Sequence, residues 1–70
     1  MIRKTVELDA ASTQGIEGAV ELALARAAVT LEGIQEVEVS RIRARVEDQR
    51  VADWQVTVKV TFQLRDAAHD

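Results

Sequence analysis

From Trp54 to Leu64 apolar and polar residues alternate without a break. Trp54, Val56, Val58, Val60, Phe62 and Leu64 fall on one side, and Asp53, Gln55, Thr57, Lys59, Thr61 and Gln63 on the other. A period of two sustained over this length predicts an antiparallel strand with one buried and one solvated face. A weaker alternation of Ile2, Val6 and Leu8 against Arg3, Thr5 and Glu7, broken by Lys4, predicts a first strand over 2–8. Residues 34–46 read as a long second strand with a change of phase, because Val37 and Val39 are apolar at odd positions and Ile42, Ala44 and Val46 at even ones. A flat strand cannot send both sets inward. One extra residue near Ser40-Arg41, a β-bulge, restores the phase; partial burial of both faces in an assembly is the alternative. Glu47-Asp48-Gln49-Arg50 contains neither Gly nor Pro and reads as a polar turn of four or five residues closing a hairpin.

Between the first two strands the period changes to that of a helix, expected over 13–32. Ile16, Val20, Leu24, Ala27 and Leu31 form one apolar stripe, and alanine, the best helix former, is abundant. Ser12 is the expected N-cap, with Thr13 as the alternative. Glu17 and Glu21 suit the positive end of the helix dipole, and Gly33 suits a C-terminal stop. Leu22, Ala25 and Val29 fall nearly opposite the stripe. A helix apolar on two sides is buried on two sides. The sheet takes one side, and a neighbouring subunit is the simplest cover for the other, although single exposed apolar residues are common on surfaces.

The fold class expected is therefore α+β: a β-α-β-β chain whose three-stranded antiparallel sheet packs on one helix. A helix of twenty residues spans about 30 Å, and the second and third strands overhang it. Seventy residues make one domain, with a polar tail at 66–70 expected to fray. A chain this short buries only about 60% of the surface its unfolded form exposes and needs a staple. No cysteine is present, and the single histidine, His69, stands in the tail, so disulfides and a zinc site are excluded. Oligomerisation remains. Twelve acidic against nine basic residues give a net charge of −3, which disfavours nucleic acid or an anionic membrane as partner. No apolar run approaches a membrane span, and no apolar segment of a signal peptide follows Met1-Ile2-Arg3-Lys4. A cytoplasmic protein is expected.

Candidate chemistry is sparse. Ser12 and Thr13 have no base near them in sequence. Gly15-Ile16-Glu17-Gly18 lacks the spacing of a phosphate loop and carries a carboxylate that repels phosphate. Glu36, Glu38, Glu47, Asp48 and Asp53 show no spacing that demands acid–base work; they suit a solvated face, or a hard cation shared between subunits. Arg41, Arg43 and Arg45 form a basic row on one side of the second strand. With Lys59 they could clamp a phosphate, or pair with carboxylates across the hairpin or between subunits. Trp54 shares the parity of Val56 and Val58 and belongs to the core side, whereas Gln55 and Gln63 point the other way. No enzyme constellation emerges.

Four segments together resemble the dodecin family. Ser12-Thr13-Gln14-Gly15 is similar to its S-x-x-G helix entry, and Ala23-Leu24-Ala25-Arg26-Ala27 to its L-A-R-A helix centre. Glu38-Val39-Ser40-Arg41-Ile42-Arg43 is similar to its E-V-x-x-I-R strand, and Trp54–Leu64 to its aromatic-Q-V-x-x-K/E-V-x-F-x-L ending. The resemblance, over about residues 2–65, implies a hollow homododecamer that binds flavin. It further implies isoalloxazine rings stacked on a tryptophan of a D-W-F-E-V segment, a glutamine bonded to the ring, and arginines for the phosphate of a nucleotide form.

Carried over position by position, Gln55 matches the ring-binding glutamine and Arg43 a phosphate-binding arginine. Glu36 stands where the stacking tryptophan would be, in Gln35-Glu36-Val37-Glu38-Val39, and Gln63 where a second arginine would be. Losing a stacking partner worth roughly 1–3 kcal/mol weakens binding roughly ten- to a hundredfold. The expected function is a non-enzymatic dodecin-like shell that stores or sequesters riboflavin or FMN, weakly because of Glu36. The alternative is a flavin-free shell that binds another small ligand or a cation such as calcium.

Overall fold

The computed structural model of the chain describes residues 1–64. The tail expected at 66–70, with His69, lies outside the described residues. The elements are β1 (Ile2–Ser12), α1 (Ile16–Thr30), β2 (Ile34–Glu47) and β3 (Arg50–Leu64). They form one three-stranded sheet in the order β1-β3-β2, antiparallel at both ladders. The most regular alternation in the sequence thus belongs to the central strand, the only one bonded on both edges. Val56, Val58 and Val60 on its apolar face are the largest fully buried side chains.

The apolar parity of β3 carries through both ladders. Val58 faces Leu8 on one side and Val39 on the other, and Val60 faces Val6 and Val37. α1 lies across this face. Its buried residues are Ala19, Ala23 and Ala27, with Ile16, Val20 and Leu31 packed around them. Alanines at i, i+4 and i+8 bring the helix backbone close to the three valines of β3. Close approach corrects the expected stripe, because Leu24 lies beyond it, 37% exposed. The buried stripe is centred on the small residues Ala19, Ala23 and Ala27.

The helix is shorter than expected, because β1 stays paired as far as Ser12 opposite Trp54 instead of ending at residue 8. Ser12 does not cap α1. Its Oγ accepts the Gln14 N–H at 2.9 Å, stabilising the turn before the helix, and the N-cap is Gly15, with no side-chain capping bond. Gly18 packs against the same corner, where a Cβ would lie 2.9 Å from Ser12 Oγ and 3.1 Å from the Gln14 Cβ. At the other end the Leu31 N–H reaches Ala27 O at 2.9 Å, and the chain turns through Gly33 (φ +74°). Gly33 is therefore a joint two residues past the cap, and its carbonyl accepts the Gln63 N–H at 3.0 Å. The fifteen residues of α1 span about 22 Å, not 30.

The bulge expected near Ser40-Arg41 is present: the register shifts between Val39 and Arg41, leaving Ser40 as the extra residue. The phase change of β2 is thereby resolved, and Ile42 and Ala44 join the apolar face opposite Val56 and Trp54. Two further shifts, between Ile34 and Glu36 and between Arg45 and Val46, had no sequence signal. The hairpin turn is tighter than expected. Glu47 pairs directly with Arg50, and Asp48 (φ 51°) and Gln49 (φ 66°) form a two-residue loop. Two left-handed residues give the twist that tight hairpins prefer. The molecule is 58 Å long, so the distal hairpin extends past α1 and leaves Ile42, Val46 and Val51 uncovered on the apolar side.

Candidate functional site

The face opposite α1 is polar, and register organises it into rungs. Thr5 and Glu36 flank Thr61, Glu7 and Glu38 flank Lys59, Asp9 and Arg41 flank Thr57, and Ala11 and Arg43 flank Gln55. β3 supplies the middle of each rung because its polar parity turns away from the helix. Ala11 is the smallest outer member of these rungs. Beside it a shallow cleft of 260 Å³ opens, lined by Asp9, Ala11, Arg43, Gln55 and Thr57. A second, more polar cleft of 360 Å³ adjoins it, sharing Asp9, Arg43 and Thr57 and adding Glu7, Ser40, Arg41 and Lys59.

Hydrogen bonds fix the floor of these clefts. Thr57 Oγ1 donates to Asp9 Oδ1 at 2.6 Å, and the bulged Ser40 Oγ donates to the Thr57 carbonyl at 3.2 Å. The bulge has a second consequence. It restores the parity of β2 so that Arg41 and Arg43 stand on the polar face with Thr57 and Gln55.

The arginine row divides. Arg45 Nε donates to Asp53 Oδ2 at 3.2 Å and Nη1 to Glu47 Oε2. These two bonds brace the neck of the hairpin and raise the Arg45 guanidinium above its ordinary pKa. Arg41 and Arg43 make no ion pair among the described residues. Asp53 Oδ1 is buried with no donor among the described residues.

Sequence reasoning singled out Gln55, Arg43, Glu36 and Gln63. Gln55 and Arg43 are direct neighbours across the β2–β3 ladder. Glu36 and Gln63 do not join them. Glu36 sits opposite Thr61, about 20 Å along β3 from Gln55 at 3.3 Å per residue. Gln63, at the same end of the sheet, accepts from Gln35 Nε2 at 3.0 Å. Within one chain the four residues form two groups about 20 Å apart on the polar face. Asp9, Ala11 and Thr57 were missed. Thr57 shares the parity of Gln55, but placing Asp9 and Ala11 beside it requires knowing that β1 is the partner of β3. Trp54 stands on the apolar face, as its parity predicted. Among the described residues no group of three or more His, Cys, Asp or Glu is placed to hold a metal ion, and no helix is long and apolar enough to cross a membrane.

Comparison with known proteins gives one consistent result. The family model described as Dodecin matches residues 2–65. The curated dodecin of Thermus thermophilus is 38% identical over 65 residues, 93% of this chain and 94% of that protein. Among solved structures, the dodecin of Streptomyces coelicolor superposes with a TM-score of 0.87 at 35% identity, covering 93% of each chain. A dodecin from Streptomyces davaonensis gives 0.87 at 31% identity, covering 93% of this chain and 96% of that one.

Proposed function

The chain belongs to the dodecin family, and from that premise we propose that it works as a non-enzymatic, cytoplasmic shell of twelve copies that binds and stores or sequesters flavin, as riboflavin or FMN. The observation that carries this reading is the rung of Ala11, Gln55 and Arg43 beside an open cleft. The Gln55 amide offers both a donor and an acceptor, which suits the alternating edge of an isoalloxazine ring. Arg43 offers a bidentate fork to the phosphate of FMN, and no carboxylate among the described residues occupies it. Small Ala11 leaves room beside the glutamine. Self-assembly is supported by uncovered apolar surface on the helix at Leu22 and Val29 and on the hairpin at Ile42, Val46 and Val51.

Glu36 favours a second reading, a shell of the same architecture without flavin. At the position that resembles the family's stacking tryptophan, an exposed carboxylate offers oxygen ligands and no ring face. Where copies meet at such a position, like carboxylates repel unless a cation lies between them.

Titration with riboflavin and FMN, followed by quenching of flavin fluorescence with particle mass read by light scattering in the same buffer, separates the two. Saturable quenching by a large particle supports the flavin reading. An intact particle that quenches neither flavin but binds calcium supports the second.

A further inference from the structure

Asp9 and Thr57 border both polar clefts, so they stand where one cleft passes into the other. They are direct partners across the β1–β3 ladder, on the rung next to Ala11 and Gln55, about 7 Å along β3 at 3.4 Å per residue. Thr57 Oγ1 donates to Asp9 Oδ1 at 2.6 Å, the short distance of a bond to an ionised carboxylate. Thr57 is held from the other side as well, because Ser40 Oγ donates to its carbonyl at 3.2 Å. A threonine hydroxyl has one hydrogen and two lone pairs, and an ionised carboxylate has acceptors alone. With that hydrogen given to Asp9, the pair offers the clefts acceptors only, Thr57 Oγ1 and Asp9 Oδ2. Among the described residues Asp9 makes no ion pair, although Arg41, Arg43 and Lys59 line the same cleft.

We infer that Asp9 and Thr57 form a specificity element that accepts hydrogen bonds from the hydroxyls of the ligand's ribityl chain. The inference rests on the flavin reading and deepens it, by placing the chain relative to the ring. A ligand whose ring is bonded to Gln55 in the first cleft reaches the second only past the Thr57 rung. Neighbouring hydroxyls of a polyol each bring one hydrogen, which matches two acceptors held side by side. A phosphate brings charge of the same sign as Asp9 and is repelled there, so the terminal phosphate of FMN belongs with the arginines across the cleft and not at the pair. Asp9 and Arg43 thus pull in opposite directions: the carboxylate favours the neutral, hydroxyl-rich chain, and the guanidinium favours the charged tail. The element is preorganised, since β1 supplies Asp9, β3 supplies Thr57 and the bulge of β2 supplies Ser40.

Three probes separate ring, chain and phosphate: lumiflavin, which carries the ring without the ribityl chain, riboflavin and FMN. Each is titrated by fluorescence quenching against the wild-type protein, Asp9→Asn and Thr57→Val, with particle mass checked by light scattering. Asp9→Asn keeps the shape and the bond from Thr57 while turning the open acceptor into a donor. Thr57→Val keeps the volume and removes the hydroxyl. The wild-type protein is expected to bind riboflavin more tightly than lumiflavin. Asp9→Asn should weaken riboflavin by roughly tenfold or more, as for a lost bond to a charged group, and leave lumiflavin unchanged. FMN should lose less than riboflavin, because the repulsion at Asp9 goes with the charge. Thr57→Val should weaken riboflavin by roughly two- to tenfold, again without effect on lumiflavin. Equal losses for lumiflavin and riboflavin would place Asp9 at the ring and overturn the inference. Equal wild-type affinity for those two ligands, or an intact Asp9→Asn particle that binds riboflavin as before, would overturn it while leaving the flavin reading standing. A wild-type particle that quenches none of the three would overturn both.

Discussion

Arg43 stands directly opposite Gln55 across the β2–β3 ladder, on the face turned away from the helix. The pairing depends on the bulge at Ser40, which restores the parity of β2 after Val39. Without that extra residue Arg43 would project toward the helix side, and Gln55 would have an apolar neighbour.

The two residues are expected to act on different parts of a flavin. Gln55→Ala removes a hydrogen bond of about 0.5–1.5 kcal/mol and should weaken riboflavin and FMN alike, by roughly two- to tenfold. Arg43→Ala removes a contact with a charged group, worth about 1.5–3 kcal/mol, and should weaken FMN by roughly ten- to a hundredfold while leaving riboflavin nearly unchanged. Fluorescence titration of both ligands against both variants checks this. Equal losses for the two ligands in Arg43→Ala would remove Arg43 from the phosphate site.

Glu36→Trp is expected to strengthen flavin binding. A stacking platform is worth roughly 1–3 kcal/mol, so the gain should be roughly ten- to a hundredfold, and larger if carboxylates of neighbouring copies meet there. Glu36→Gln, which removes the charge without adding a ring, separates the two contributions. No gain in either variant would show that Glu36 lies away from the ligand.

Gly33→Ala is expected to destabilise the fold by about 1–2 kcal/mol, the cost of holding a side chain in the left-handed region. Crowding adds to it, because the new Cβ would lie 3.1 Å from Gln63 O. Chemical denaturation of the variant measures the loss, and unchanged stability would mean that the joint between α1 and β2 can relax.

At the hairpin the same argument runs in the stabilising direction. Gln49 has φ 66°, and glycine adopts that conformation without steric cost. Gln49→Gly should raise stability by about 1 kcal/mol, read as a higher midpoint in the same denaturation. A lower midpoint would indicate that the Gln49 side chain makes contacts in the assembly.

Much of this fold was legible in the residue pattern, for identifiable reasons. The alternation from Trp54 to Leu64 predicted a strand buried on one face, and the phase change between Val39 and Ile42 located a bulge at Ser40, because a side-chain period of two leaves no other local remedy. The bulges at Gln35 and Ala52 left no such trace, since they fall near strand ends where few residues define the phase. The helix was overextended because Ser12, a good capping residue, is held in β1 by its pairing with Trp54. Leu24 fits the helical period of the stripe and has the size of a core residue, whereas α1 packs through its alanines. The turn was read as longer because Asp48 and Gln49 carry no glycine.

The candidate site was legible only in part. Parity alone put Gln55 and Gln63 on one face, and family resemblance selected Arg43 and Glu36. That Asp9 and Ala11 complete the cleft follows from the pairing of β1 with β3, which no local pattern encodes. That Glu36 lies about 20 Å from Gln55 within one chain likewise follows from register. A ligand touching both would require a second copy.

Native mass spectrometry of the protein equilibrated with FMN tests the central claim most directly, because it reads assembly and occupancy together. The account predicts a particle of about 92 kDa, twelve times the 7.7 kDa subunit, with added mass in whole multiples of FMN. A subunit-sized species would contradict the shell, and a full-sized particle without bound FMN or riboflavin would contradict its role as a flavin store.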